Sequence, residues 1–105
     1  MKLNEYQSDA WEFALPQSRS TMYLLAGLVG ETGEFASEIA KAQRDGISIE
    51  RFSSNVKKEL GDILWFVSGF ASHYGFTLED VAAENLKKLQ SRKERGTIQG
   101  SGNDR

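Results

Sequence analysis

Two stretches, residues 21–44 and 51–74, carry apolar side chains at helical spacing with no proline inside them, and both set carboxylates against the apolar stripe. At about 100° per residue, with Glu31 at zero, Leu24, Leu28, Phe35, Ile39 and Ala42 fall between about 20° and 80°. Glu31, Glu34 and Glu38 lie between about −60° and 0°, directly beside that arc. The second stretch repeats the pattern: with Glu59 at zero, Phe52, Val56, Ile63, Val67, Phe70 and Tyr74 lie between about 20° and 80°. Glu59 and Asp62 take the acid flank. A solvated charge sits opposite an apolar arc, whereas these sit next to it. Two helices so patterned bury their stripes together, and their acids then repel one another unless a cation lies among them.

The chain contains a single proline and no period-2 alternation, so the fold expected is all-α, with a four-helix, bundle-like core. Helices are expected over residues 4–14, ended by Pro16; over 21–44, stopped by Asp45-Gly46; over 51–74, ended by Gly75; and over 78–95, opened by a Thr77/Asp80 capping box and stopped by Gly96. Residues 47–50 read as a linker. At 105 residues the chain has the size of one domain, assigned to 1–96, followed by a flexible glycine-rich tail over 97–105.

Composition removes several functions. The net charge of −2 leaves no broad cationic excess for nucleic-acid phosphates. The absence of cysteine removes disulfides, thiolate catalysis and zinc–thiolate sites. No run approaches the roughly 20 apolar residues of a membrane span, and Met1-Lys-Leu-Asn-Glu5 does not open a signal peptide, so a cytoplasmic location is expected. A P-loop motif is absent. The back of residues 21–44 bears a second stripe, Met22, Ala26, Val29, Gly33, Ala36 and Ala40. Together with Leu64 and Trp65 it exceeds what one core needs, which predicts a homo-oligomer.

Residues at i and i+3 are neighbours on a helix, so Glu31 with Glu34 and Glu59 with Asp62 make two pairs of oxygen ligands. Oxygen-only ligation selects hard cations, magnesium first and manganese as its substitute. Magnesium binds substrate phosphates readily, which points to phosphoryl chemistry. Glu38, one turn past Glu34, is the carboxylate left to orient or deprotonate a water. Isolated acids of this kind are usually solvated surface charge; two pairs at matching phase, with few lysines able to pair inside them, argue for a site. A di-iron bundle would need Glu-x-x-His on two helices, and the lone histidine, His73, has no glutamate three residues before it. It reads as a packing or rim residue.

Leu28-Val-Gly-Glu-Thr-Gly-Glu34, followed by Glu59-Leu-Gly-Asp62, resembles the ExxE…ExxD signature of the MazG-like, all-α nucleoside triphosphate pyrophosphohydrolases. Asn4-Glu-Tyr-Gln7 is similar to the family's opening, and Asn85-Leu-Lys-Lys-Leu-Gln-Ser-Arg92, Arg95-Gly-Thr-Ile98 and Gly100-Ser-Gly102 resemble its closing segment. The resemblance implies a homodimer or homotetramer and magnesium-dependent cleavage of a nucleoside triphosphate to its monophosphate and pyrophosphate. It implies Glu31, Glu34, Glu59 and Asp62 as metal ligands. Two departures stand out: Gly30 occupies a position where the family often has glutamate, and the tail reads Asn103-Asp-Arg105 where Asp-Asn-Arg is common.

A triphosphate at an all-acid site needs cations opposite. Lys88 and Arg92, at i and i+4 on the last helix, are candidates for phosphate contact, and Asn85, one turn earlier, joins their face. Arg105 and Arg95 are weaker candidates, and Lys87 and Lys93 read as solvation. Tyr6, Trp11, Phe13 and Tyr23 could each line a slot for the base, though each is as readily core. The function expected is thus a magnesium-dependent nucleotide pyrophosphohydrolase acting in the nucleotide pool. The alternative is a non-catalytic helical adaptor whose acidic cluster binds a cation or a basic partner.

Overall fold

The computed structural model of the chain describes residues 1–105 and contains four α-helices and no strand. Helix α1 spans Leu3–Trp11, a 3₁₀ turn spans Pro16–Ser18, and α2 (Thr21–Asp45), α3 (Ile49–His73) and α4 (Leu78–Glu94) follow. Each of the last three starts on a hydroxyl cap. The side chains of Ser20, Ser48 and Thr77 accept from the backbone N–H of Tyr23, Arg51 and Asp80 at 3.2, 3.2 and 3.0 Å. The chain leaves α2 through Gly46, whose φ of 62° is left-handed and costs a glycine nothing.

Two boundaries differ from expectation. Helix α1 stops at Trp11 rather than at residue 14, because Phe13 and Ala14 donate to Ala10 and Trp11, three residues back, and tighten the last turn. Helix α3 begins at Ile49, inside the expected linker, because Ser48 supplies its cap.

Helices α2 and α3 form an antiparallel hairpin. The Thr21 and Tyr74 hydroxyls meet at 2.8 Å, Gly27 lies against Phe66, and the Asn55 amide donates to Glu38 at 3.3 Å. As numbers rise along α2, their partners fall along α3. Gly27 is the close approach: a Cβ there would overlap the Phe66 ring. Leu24 and Ser68 are fully buried beside Trp11 and Gly69, and Trp65 stacks edge-on with Phe66 at 5.0 Å between centroids. Trp65 also donates its indole N–H to Ala10 O at 3.1 Å, so its bulk is used within the chain rather than at an outer face.

Helix α4 packs on α1 and α3 but not on α2. Gln7 locks this junction. Its amide donates to Ser72 Oγ at 3.0 Å and Phe76 O at 2.8 Å, and its carbonyl accepts from Leu78 N at 2.8 Å. The packing is concentrated at this end of the hairpin. The radius of gyration, 16.6 Å, exceeds the roughly 13 Å of a compact domain this long. Met22 and Val29 of the back stripe remain 76% and 64% exposed. No helix is long and apolar enough to cross a membrane.

Candidate metal centre

The hairpin register brings the middle of α2 opposite the middle of α3. One carboxylate oxygen each from Glu31, Glu59 and Asp62 lie within 4.8 Å of one another. Glu31 and Glu59 are half-buried and Asp62 is exposed. Glu59 Oε2 is shut off from solvent and has no hydrogen-bond partner. A buried carboxylate oxygen without a donor is costly, and one pointing into a cluster of acids is more so. Burial first, then the neighbouring charges of Asp62, Glu31, Glu38 and Glu34, pushes Glu59 above the usual carboxylate range. Burial, then Asp62 and Glu34, does the same to Glu31. All five acids singled out in the sequence therefore share one field.

The chain offsets this field only at its edge. Its ion pairs are Lys41 with Glu38, at 4.0 Å, and Arg44 with Asp45. A hard divalent cation fits: the donor set is all oxygen, and the unpartnered Glu59 oxygen supplies a ligand atom that nothing else in the chain uses. Glu34 is exposed and stands outside the closest group, one turn from Glu31. Glu38 accepts from Asn55, and both line a cavity of about 440 Å³ that Glu59 also borders.

Other expected site residues, those for phosphate contact, lie off the α2–α3 hairpin. Asn85 is exposed and Lys88 half-buried on α4, which makes no packing contact with α2. The Arg92 and Arg105 guanidinium groups are engaged with the tail. Arg92 is 5% exposed and donates to Gly102 O and Asn103 O at 3.2 and 2.9 Å. Arg105 donates to Thr97 O, Ile98 O and Gly102 O at 3.1, 3.0 and 2.7 Å. The carbonyls of the glycine-rich tail, which no helix satisfies, are the physical reason. Of the aromatic candidates, the Tyr6 phenol feels Asp62: burial, then that charge, raises its pKa. Trp11 lies under the Arg19 guanidinium at 4.9 Å, Tyr23 sits on Phe66, and Phe13 is 81% exposed. His73 packs edge-on against Tyr74 at the far end of α3. Asn55 was not foreseen, although it lies one turn before Glu59 on the same flank of α3, which was the available signal.

The chain is thus an all-α protein with a carboxylate cluster shared by two paired helices. Residues 19–97 match the MazG nucleotide pyrophosphohydrolase domain, and the chain belongs to that family. It is also similar to the "Gene 37 protein" of Mycobacterium phage L5, with 45% identity over 85 residues that cover 79% of this chain and 75% of the phage protein. No solved structure matches it.

Proposed function

We propose that the chain is a divalent-cation-dependent pyrophosphohydrolase that splits nucleoside triphosphates, ribo- or deoxyribo-, into the monophosphate and pyrophosphate. The observation that carries this reading is the convergence of Glu31, Glu59 and Asp62 around a buried carboxylate oxygen that no group of the chain neutralises. Glu31, Glu34, Glu59 and Asp62 hold the cation, Mg²⁺ or Mn²⁺, with Glu34 turning inward from its exposed position to complete the set. A bound divalent ion supplies positive charge to the phosphate oxygens and to the departing pyrophosphate.

The chain's own residues do the rest. Glu38 orients the attacking water and takes its proton, and the Asn55 amide on Oε2 holds the carboxylate in place. Water adds in line to a phosphorus of the α–β anhydride, that bond breaks, and the bridging oxygen carries the electron pair to the departing product. Asn85 and Lys88 on α4 contact substrate phosphates, while Arg92 and Arg105 shape the tail.

A second copy of the chain covers the exposed Met22, Val29 and Ala26 stripe, because contiguous apolar area of this kind rarely stays in water. The working unit is therefore a homodimer or homotetramer.

Incubation with each NTP and dNTP in Mg²⁺, followed by quantitation of monophosphate and pyrophosphate, tests the activity; absence of turnover on all of them refutes it. Glu34→Gln and Asp62→Asn should abolish turnover at unchanged helicity. Near-wild-type rates in either variant remove that residue from the ligand set.

A further inference from the structure

The cavity beside the acid cluster has no place in the sequence-level picture, and its wall is electrically divided. It lies between the C-terminal half of α2 and the N-terminal half of α3, encloses about 440 Å³, and is lined by Glu38, Asp45, Asn55 and Glu59 together with Lys41, Arg51 and Lys58. We propose that it seats the terminal phosphates of the nucleotide, and then the pyrophosphate product, with Arg51 and Lys58 as the recognising cations and Lys41 assisting. The proposal rests on the pyrophosphohydrolase reading.

Three observations carry it. Glu59 belongs both to the acid cluster and to the cavity wall, so the cavity begins where the cation is held. Arg51 and Lys58 have no carboxylate within 4.0 Å, since the chain's ion pairs use Lys41 and Arg44. Their side chains make no hydrogen bond either; only the Arg51 backbone N–H is engaged, at the Ser48 cap. Lys41 pairs with Glu38 along α2 and Asp45 pairs with Arg44, which leaves Arg51 and Lys58 as the wall cations that form no ion pair.

The occupant that suits such a wall is an anion that travels with its own divalent cation. A bare cation leaves Arg51 and Lys58 unmatched, and a bare anion meets Glu38 and Glu59 without relief. A magnesium-bound diphosphate unit satisfies both, with guanidinium and ammonium groups on its outer oxygens. The space is of ligand-pocket size, with room for two phosphates and their water. It also orients the substrate. Along α3 the order Arg51, Lys58, Glu59, Asp62 runs from terminal phosphates to the bond cleaved, leaving the nucleoside at the Tyr6 end. Recognition of the third phosphate then falls to the hairpin, and triphosphates are preferred over diphosphates.

The test is calorimetric titration of inorganic pyrophosphate, in Mg²⁺, into the full chain and its Arg51→Ala, Lys58→Ala and Lys57→Ala variants. Lys57 is exposed, carries the same charge and does not line the cavity. Loss of one charge-assisted contact should weaken pyrophosphate binding about tenfold or more at Arg51 and at Lys58, and leave Lys57→Ala unchanged. In turnover, the same two variants should raise the triphosphate KM and relieve product inhibition by a like factor. Wild type that fails to bind pyrophosphate, or Arg51→Ala and Lys58→Ala both within about twofold of wild type, overturns the proposal. The two readings fail separately. Turnover with unaffected Arg51 and Lys58 variants keeps the hydrolase and removes the cavity. Pyrophosphate binding that needs Arg51 and Lys58, in a protein that cleaves no nucleotide, keeps the cavity and removes the hydrolase.

Discussion

Replacing Gln7 by alanine should cost more stability than any other single polar-to-alanine change in the chain. Gln7 is 8% exposed, and its amide makes three hydrogen bonds that tie α1 to Ser72 near the end of α3 and to Phe76 and Leu78 at the start of α4. At about 1 kcal/mol net each, their loss amounts to about 3 kcal/mol. The true cost is no smaller, because Leu78, 5% exposed, keeps a backbone N–H that alanine cannot satisfy. A domain of this length shifts about 4–8 °C per kcal/mol, so Tm should fall by about 12–24 °C. Thermal unfolding followed by circular dichroism reads this directly. The acids lie on the α2–α3 hairpin, away from this junction, so Mg²⁺ affinity at low temperature should hold while the KM for nucleotide rises as α4 loosens. A Tm loss below about 1 kcal/mol equivalent would mean that the junction is held by apolar packing alone and that the Gln7 bonds contribute nothing net.

The other expectations concern the site and the hairpin seam. Glu59→Gln removes the buried unpaired charge, so the metal-free variant should melt at or above wild type; in Mg²⁺ at a hundred times its Kd the wild type gains about 2.7 kcal/mol that the variant lacks. Equal Mg²⁺ stabilisation of both proteins would remove Glu59 from the ligand set. Glu31 and Glu59 are held above the carboxylate range when folded and titrate normally when unfolded. Between the ordinary value and the raised one, the folded state binds the extra protons, so stability falls as pH rises through that window. Metal-free protein should therefore melt higher as pH is lowered from neutrality toward the ordinary carboxylate range, and saturating Mg²⁺ should abolish the trend; calorimetry showing the opposite slope without metal refutes it. Gly27→Ala forces a methyl into the Phe66 ring and should cost about 1–3 kcal/mol, more than the roughly 1 kcal/mol of helix propensity it gains. Gly30→Ala, whose Cβ meets nothing within 4 Å, should instead stabilise by about 1 kcal/mol in urea titrations.

Much of this architecture could be read from residue order. The apolar period located α2 and α3, the hydroxyl caps and Gly46 bounded them, and the common phase of Glu31, Glu59 and Asp62 anticipated their meeting. A helical wheel shows which side of a helix is apolar but not what covers it. It assigned Trp65 to an outer face, whereas Ala10 and Trp11 of α1 enclose it. The cavity cations were missed for a related reason. Lys88 and Arg92 attract attention because they are neighbours on one helix, while Lys41, Arg51 and Lys58 become neighbours only once the hairpin closes. Arg92 illustrates the limit from the other side: nothing in its spacing shows that carbonyls of the Gly102 region lie within its reach.

The hairpin seam also sets an order of events in time. Most of the long-range packing joins α2 to α3, which are separated by the short Gly46–Ser48 connection, whereas Gln7 meets Phe76 across 69 residues. Loop-closure entropy favours the short connection, so the carboxylates of Glu31, Glu59 and Asp62 are expected to assemble before either terminus docks. In stopped-flow mixing, Mg²⁺ should then act on the folding limb of the chevron, accelerating folding with little effect on unfolding. Gln7→Ala should do the reverse and appear almost wholly as faster unfolding. The cation would thus serve as a folding nucleus before it serves as a cofactor.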